Sequence, residues 1–217
     1  MPGRTTPLVN DYFYHIYNRG ADKRNIFLQL RDYRRFFQTF NYYRFIGPKP
    51  RFSKFAKSDL ISFSPDPKKK LVDIVCYCLM PNHFHFLIKQ LRNNGVSTFI
   101  SQICNSYTKY FNTKNRRIGP LFQGAFKAVL IETDEQLIHV SRYIHLNPIV
   151  SGVAHDLNSY FWSSYYEYVS GKESICSTGY VLDLLPSRTG YQKFVEEQID
   201  YGITLELLKH QTIDLEK

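Results

Sequence analysis

The stretch Leu71 to Lys89, LVDIVCYCLMPNHFHFLIK, constrains this chain more than any other. Two runs rich in β-branched and aromatic residues flank Pro81-Asn82, a tight-turn pair, so the segment predicts a β-hairpin with strands over 71–80 and 83–89. Upstream, DYFYHIYNR (11–19) alternates like a strand and stops at Gly20. RDYRRFFQTFNYYRF (31–45) then sets Tyr33, Phe36, Phe37, Phe40 and Tyr43 at helical spacing and ends at Gly47-Pro48-Lys49-Pro50. The basic segment 51–70, with Pro65, Pro67 and Lys68-Lys69-Lys70, reads as an exposed loop.

Downstream of the hairpin, STFISQICNSYTKYFN (97–112) predicts an amphipathic helix. A glycine-punctuated stretch, 119–124, leads to the strand-like run AFKAVLIE (125–132). Thr133 begins TDEQ, a capping-box pattern, and the helix it opens is expected to end at Asn147, because Pro148 disfavours helical geometry in the residue before it. The order strand, helix, hairpin, helix, strand, helix predicts an α+β fold: a ferredoxin-like (RRM-like) antiparallel sheet with helices on one face. After Val153 the pattern weakens through WSSYYEYV, YVLDLL and YQKFVEEQI. The expected division is a catalytic domain over 1–153 and a C-terminal helical appendage over 154–217.

The 217 residues carry 28 basic and 19 acidic side chains, a formal charge of +9, and 16% of them are aromatic. This apolar content closes a core and excludes wholesale disorder. Positive charge favours a polyanionic partner, and exposed rings could stack on unpaired bases. No apolar run approaches a membrane span, the start of the chain has no signal-like apolar region, and four cysteines suit a reducing compartment. The expectation is a cytoplasmic, nucleoid-associated protein with no membrane partner.

Two groups of residues could carry chemistry. His83 and His85 alternate on a strand, so both imidazoles share a face and could ligate one divalent ion with a third donor. On the helix after Thr133, Tyr143 and Asn147 lie four residues apart on one stripe, with His139 four residues earlier. A tyrosine offers a phenolate nucleophile, and Asn147 offers a hard amide oxygen that completes a His, His, Asn set suited to Mg²⁺ or Mn²⁺. Spacing alone does not separate Tyr143 from Tyr107 or Tyr110.

MPNHFHFLIK (80–89) resembles the His-hydrophobic-His core of single-tyrosine HUH transposases, and RYIHLNPIVSGV (142–153) is similar to the tyrosine helix of their REP-associated branch. YHIYNRG (14–20), GPLFQGAFKA (119–128) and WSSYYEY (162–168) resemble further blocks of that group, in the expected order. The resemblance implies phosphoryl transfer on single-stranded DNA: Tyr143 attacks a phosphodiester, forming a 5′-phosphotyrosine bond and releasing a 3′-hydroxyl. It implies a divalent metal held by His83 and His85 with Asn147 as third ligand, although His139 and His145 compete for that place. It implies substrates with hairpin, repeat-like elements, and either a homodimer or a monomer. Arg19, Lys23 and Arg24, then Lys114, Arg116 and Arg117, with Gln123 and Lys127 from the Gly119 block, are the expected DNA contacts.

Three other readings compete. A non-catalytic RRM-like nucleic-acid module would use Gly124-Ala125-Phe126 as a partial aromatic signature. A domesticated nuclease would cut repeats without transposition. A zinc site would pair Cys78 with His83 and Cys76 with His85 across the hairpin.

Overall fold

The structure, a computed structural model, describes residues 7–47, 52–54, 66–172 and 175–204. It contains β1 (Phe13–Arg19), α1 (Leu30–Tyr43), β2 (Val72–Met80), β3 (His83–Gln90), α2 (Gly95–Lys114), β4 (Lys127–Ile131) and α3 (Asp134–Val150). Shorter helices among the residues after it are α4 (Tyr165–Ser170), α5 (Gly179–Leu182) and α6 (Arg188–Glu196). The four strands form one sheet in the order β2-β3-β1-β4, the ferredoxin-like arrangement the element order predicts. Pro81-Asn82 joins β2 to β3 as a two-residue turn.

The chain divides into two compact units whose boundary passes through β2 and β3. One comprises Met1–Asp73, Pro81–His83 and Ile88–Leu130, the other Ile74–Met80, Phe84–Leu87 and Ile131–Lys217. In the first, α1 and α2 pack through aromatic rings. Phe27 stacks on Tyr33 at 4.4 Å, Phe36 meets Tyr107 edge-on at 5.0 Å, and the Tyr107 hydroxyl donates to the Ile26 carbonyl at 2.6 Å. Much of the aromatic excess is therefore core. Gly20 ends β1 where the chain doubles back, and a Cβ there would collide with the Arg24 carbonyl oxygen.

β2 is buried along its whole length although it stands at one end of the strand order. The tail explains this. Leu79 N–H donates to the Trp162 carbonyl at 2.8 Å, Ser164 N–H donates to the Tyr77 carbonyl at 3.0 Å, and Cys78 pairs with Ser163 in an antiparallel bridge. The hydroxyls of Tyr160 and Tyr168 donate to the carbonyls of Leu79 and Val75 at 2.6 and 2.9 Å. Residues 160–164 thus satisfy backbone groups that an outermost strand would otherwise expose.

Two expectations need correction. The helix from Thr133 does not end at Asn147; α3 runs through Pro148 to Val150. Pro148 lacks the N–H that would bond Ile144, but Ile144, Leu146, Pro148 and Ile149 are all buried, and this packing outweighs the local preference. The Asn147 side chain also donates to the Tyr143 carbonyl at 2.8 Å, and the Pro148 carbonyl accepts from Val153 and Ala154. The segment 51–70 is not uniformly exposed: Phe52 is buried and packs 5.3 Å from Tyr42, while Lys68 and Lys69 lie on an exposed turn. Residues 51 and 55–65 of that segment lie outside the described residues. The close approach at Gly20 gives a direct test: Gly20→Ala lowers unfolding stability by about 1–3 kcal/mol in denaturant titration.

Candidate active site

The second unit brings together His85, Tyr143 and Asn147. His85 lies on β3 and is buried, while Tyr143 is on the outward stripe of α3 with 52% of its surface exposed. The two rings meet edge to face, centroids 5.6 Å apart and planes 86° apart. One turn on, Asn147 is buried, and its Nδ2 donates to the Tyr143 carbonyl. That bond orients the carboxamide and leaves Oδ1 as its acceptor end. Thr133 starts the helix, accepting from Gln136 N–H at 3.1 Å, while Gln136 Oε1 reaches back to Glu132 N–H at 2.8 Å.

The competing tyrosines are placed otherwise. Tyr107 is fully buried with its hydroxyl on Ile26, and burial pushes its pKa far up. Tyr110 donates to Asp32 at 2.9 Å, and burial followed by that carboxylate raises its pKa to about 12. Both phenols are tied to partners of their own fold, whereas Tyr143 faces outward beside an imidazole.

The competing histidines are likewise committed. His139 is exposed, with Nδ1 2.7 Å from the Arg142 guanidinium, which itself covers the Phe194 ring at 4.1 Å. His145 has no exposed surface, and both ring nitrogens are bonded: Nδ1 to the Tyr191 hydroxyl at 2.6 Å and Nε2 to Ser164 Oγ at 2.9 Å. Tyr168 packs edge-on against it at 4.8 Å. Ser164 Oγ also accepts from the Tyr77 N–H of β2 at 2.9 Å, and Tyr191 contacts Ser141 of α3 at 3.1 Å. His145 is two residues past Tyr143, about 200° around the helix, so it anchors the inward face while Tyr143 occupies the outward one. His145 is thus a structural anchor and not the metal ligand its place near Tyr143 suggests, since its bonds run to Ser164 and Tyr191.

The first unit holds the remaining candidates. His83 opens β3 half-buried, with Nδ1 2.6 Å from Asn82 Oδ1. Donation from Nδ1 to that oxygen places the neutral ring's lone pair on Nε2. Beside this turn, Gly20 N–H donates to the Asn82 carbonyl at 2.8 Å, and Gly20 pairs with Phe122. The pairing brings two expected DNA contacts together: Arg19 Nε donates to Gln123 Oε1, and Gln123 N–H donates to the Arg19 carbonyl. Asp22 and Lys23 both adopt left-handed backbone, at φ 54° and 57°, an uncommon pair for residues with side chains. Lys23, Arg116 and Lys127 are exposed.

Other expected contacts have intramolecular partners. Lys114 Nζ lies 2.6 Å from the carboxylate of fully buried Asp32. Burial pushes that carboxyl's pKa up, but Lys114, the Leu28 N–H and the Tyr110 hydroxyl outweigh it and hold the pKa below its usual value. Arg24 pairs with Asp22 at 2.8 Å and with the Ala21 carbonyl. Arg117 bonds Asn112 and the Pro120 carbonyl, bracing the loop before β4.

The hairpin register also corrects the zinc pairing. A two-residue turn between Met80 and His83 sets Cys78 opposite His85 and Cys76 opposite Leu87, whose backbone contacts the Cys76 thiol. Burial raises the pKa of both thiols. Phe126, offered as an RRM-like signature, precedes β4 and is not on the strand.

The His145 environment predicts a pH response. Burial lowers its pKa to about 3, against 6.5 when unfolded, so the unfolded chain takes the proton first as pH falls. The stabilisation is complete above pH 6.5 and declines as pH falls toward 3. The melting temperature falls between pH 7 and 5, and the His145 ring resonances in NMR stay those of a neutral imidazole across that range.

Residues 62–147 match the family model of IS200-like transposases. None of the curated proteins compared matches. A solved structure of the REP-associated tyrosine transposase bound to a REP hairpin superposes with a TM-score of 0.59, at 14% identity, over 83% of this chain and 93% of that one. Residues 62–147 are thus similar to IS200-like transposases, and the chain shares its fold with a REP-associated tyrosine transposase.

Proposed function

We propose that this protein is a metal-dependent single-strand DNA endonuclease and strand transferase of the transposase type, acting on hairpin-associated DNA with Tyr143 as nucleophile. The carrying observation is the contact between the half-exposed Tyr143 ring and the buried His85 ring. The family match over 62–147 and the REP-bound fold relative support the same class of activity.

In this reading the Tyr143 oxygen, having given up its proton, attacks phosphorus. The bond to the 3′-oxygen breaks, that oxygen is protonated to a 3′-hydroxyl, and the 5′-phosphate stays on the tyrosine. The phosphotyrosine bond keeps the phosphodiester's energy, so another 3′-hydroxyl can reverse the step and rejoin strands. The expected ligands His83, His85 and Asn147 offer imidazole nitrogens and an amide oxygen, donor types that suit a divalent ion. Mg²⁺ or Mn²⁺, if held by these residues, would supply positive charge at the scissile phosphate. The Asn147–Tyr143 bond keeps Oδ1 available for that purpose, and the Asn82–His83 bond does the same for Nε2. Arg19, Lys23, Arg116 and Lys127 hold neighbouring phosphates, and DNA within the cell is the substrate.

Incubating the protein with hairpin-bearing single-stranded oligonucleotides and Mn²⁺, then identifying DNA-linked peptides by mass spectrometry, tests the reading. The adduct maps to Tyr143, disappears in Tyr143→Phe and on chelation, and survives in Tyr110→Phe. His85→Ala slows its formation by more than the roughly 10–100-fold typical of groups that only orient a ligand. An adduct on Tyr107 or Tyr110, or one persisting in Tyr143→Phe, overturns the assignment.

A further inference from the structure

The α1–α2 side of the first unit carries a groove of about 870 Å³ that includes no residue of the His85, Tyr143, Asn147 cluster. Its cations are Arg31, Arg35, Lys109 and Lys114, and no described acidic side chain lines it. Lys114 is engaged with Asp32 behind it, whereas Arg31 and Lys109 are exposed. Arg35 lies between two rings, 4.2 Å above Phe52 and 5.4 Å from Tyr110. The Nε of Arg35 and the Oε1 of Gln102 are buried with no hydrogen-bond partner among the described residues. An amide can be turned to present NH₂ in place of oxygen, so each of these groups has a donor to offer an anion in the groove. Burial also lowers the Arg35 pKa, a penalty that a nearby anion reverses.

The wall contributed by α2 is a row. Ser101, Asn105, Lys109 and Thr113 recur every fourth residue and all are exposed. Each step advances about 6 Å along the helix, a spacing comparable with that of successive phosphates on one strand. The groove is much larger than one phosphate, and its polar row, cations and rings run together.

From this we infer that the α1–α2 groove is a nucleic-acid backbone site, in which Arg31, Arg35 and Lys109 contact phosphates while the hydroxyl and amide row of α2 hydrogen-bonds the same strand. It extends the proposed activity, naming a second surface of this chain that holds the polynucleotide, and it stands or falls separately from the chemistry at Tyr143.

Fluorescence anisotropy with two labelled probes, a DNA hairpin and an unstructured single strand of equal length, both in chelator and over a range of salt, tests it. Arg31→Gln/Lys109→Gln weakens binding at least tenfold at low salt. It reduces the slope of log affinity against log salt by about 0.9 per lost contact on a duplex stem and about 0.7 on a single strand. Ser106→Asp, which brings negative charge into the groove and removes no cation, weakens binding in the same way. The probe that suffers the larger loss identifies whether stem or single strand occupies the groove. Tyr143→Phe binds both probes as the parent does, so loss of the covalent adduct with retained affinity concerns the cleavage reading alone. Parent-like affinity and slope in both groove variants overturn the site. So does an equal loss in Lys172→Gln/Lys193→Gln, which removes the same charge elsewhere.

Discussion

The arrangement of the candidate active site depends on one buried imidazole. His145 has both ring nitrogens bonded, one to Tyr191 of α6 and one to Ser164 from the tail, and Ser164 in turn bonds Tyr77 of β2. A neutral imidazole donates at one nitrogen and accepts at the other, so this triple junction is satisfied without charge. It fixes the inward face of α3 against a strand whose hairpin partner carries His85. Tyr143 is thereby held beside that ring by groups it does not touch. Removing one member leaves polar atoms stranded in an apolar interior, which is more damaging than losing a bond at the surface.

The cations divide into two populations with different work. Lys114, Arg24 and Arg117 neutralise or brace groups of their own chain, while Lys23, Arg116, Lys127, Arg31 and Lys109 project outward. The net charge of +9 therefore overstates what any one face offers to a polyanion. Arg19 belongs to both groups, because its guanidinium is aligned by Gln123. Such alignment reduces the rotamer freedom lost when an anion arrives.

What could be read from the chain was what local rules determine. The hairpin, the strand ended by Gly20 and the Thr133 cap each depend on residues a few positions apart, and each is present. Pro148 obeys a local rule that burial overrides. Lys114 reads as a surface cation because its carboxylate partner lies 82 residues away. His145 reads as a spare ligand because its partners lie 19 and 46 residues downstream. Spacing left Tyr107, Tyr110 and Tyr143 as equals, and only burial separates them. Residues that share an element were legible, whereas the partners of polar groups across the fold were not.

The pairing of residues 160–164 with β2 bears on how chains of this architecture assemble. An unprotected outermost strand recruits a neighbour, either a sister molecule in an ordered dimer or many molecules in a precipitate. Here the same polypeptide fills that position, so the backbone groups of β2 are occupied from within one chain. A descendant that lost the tail would have to evolve a symmetric contact along that strand, and its quaternary structure would change with the deletion.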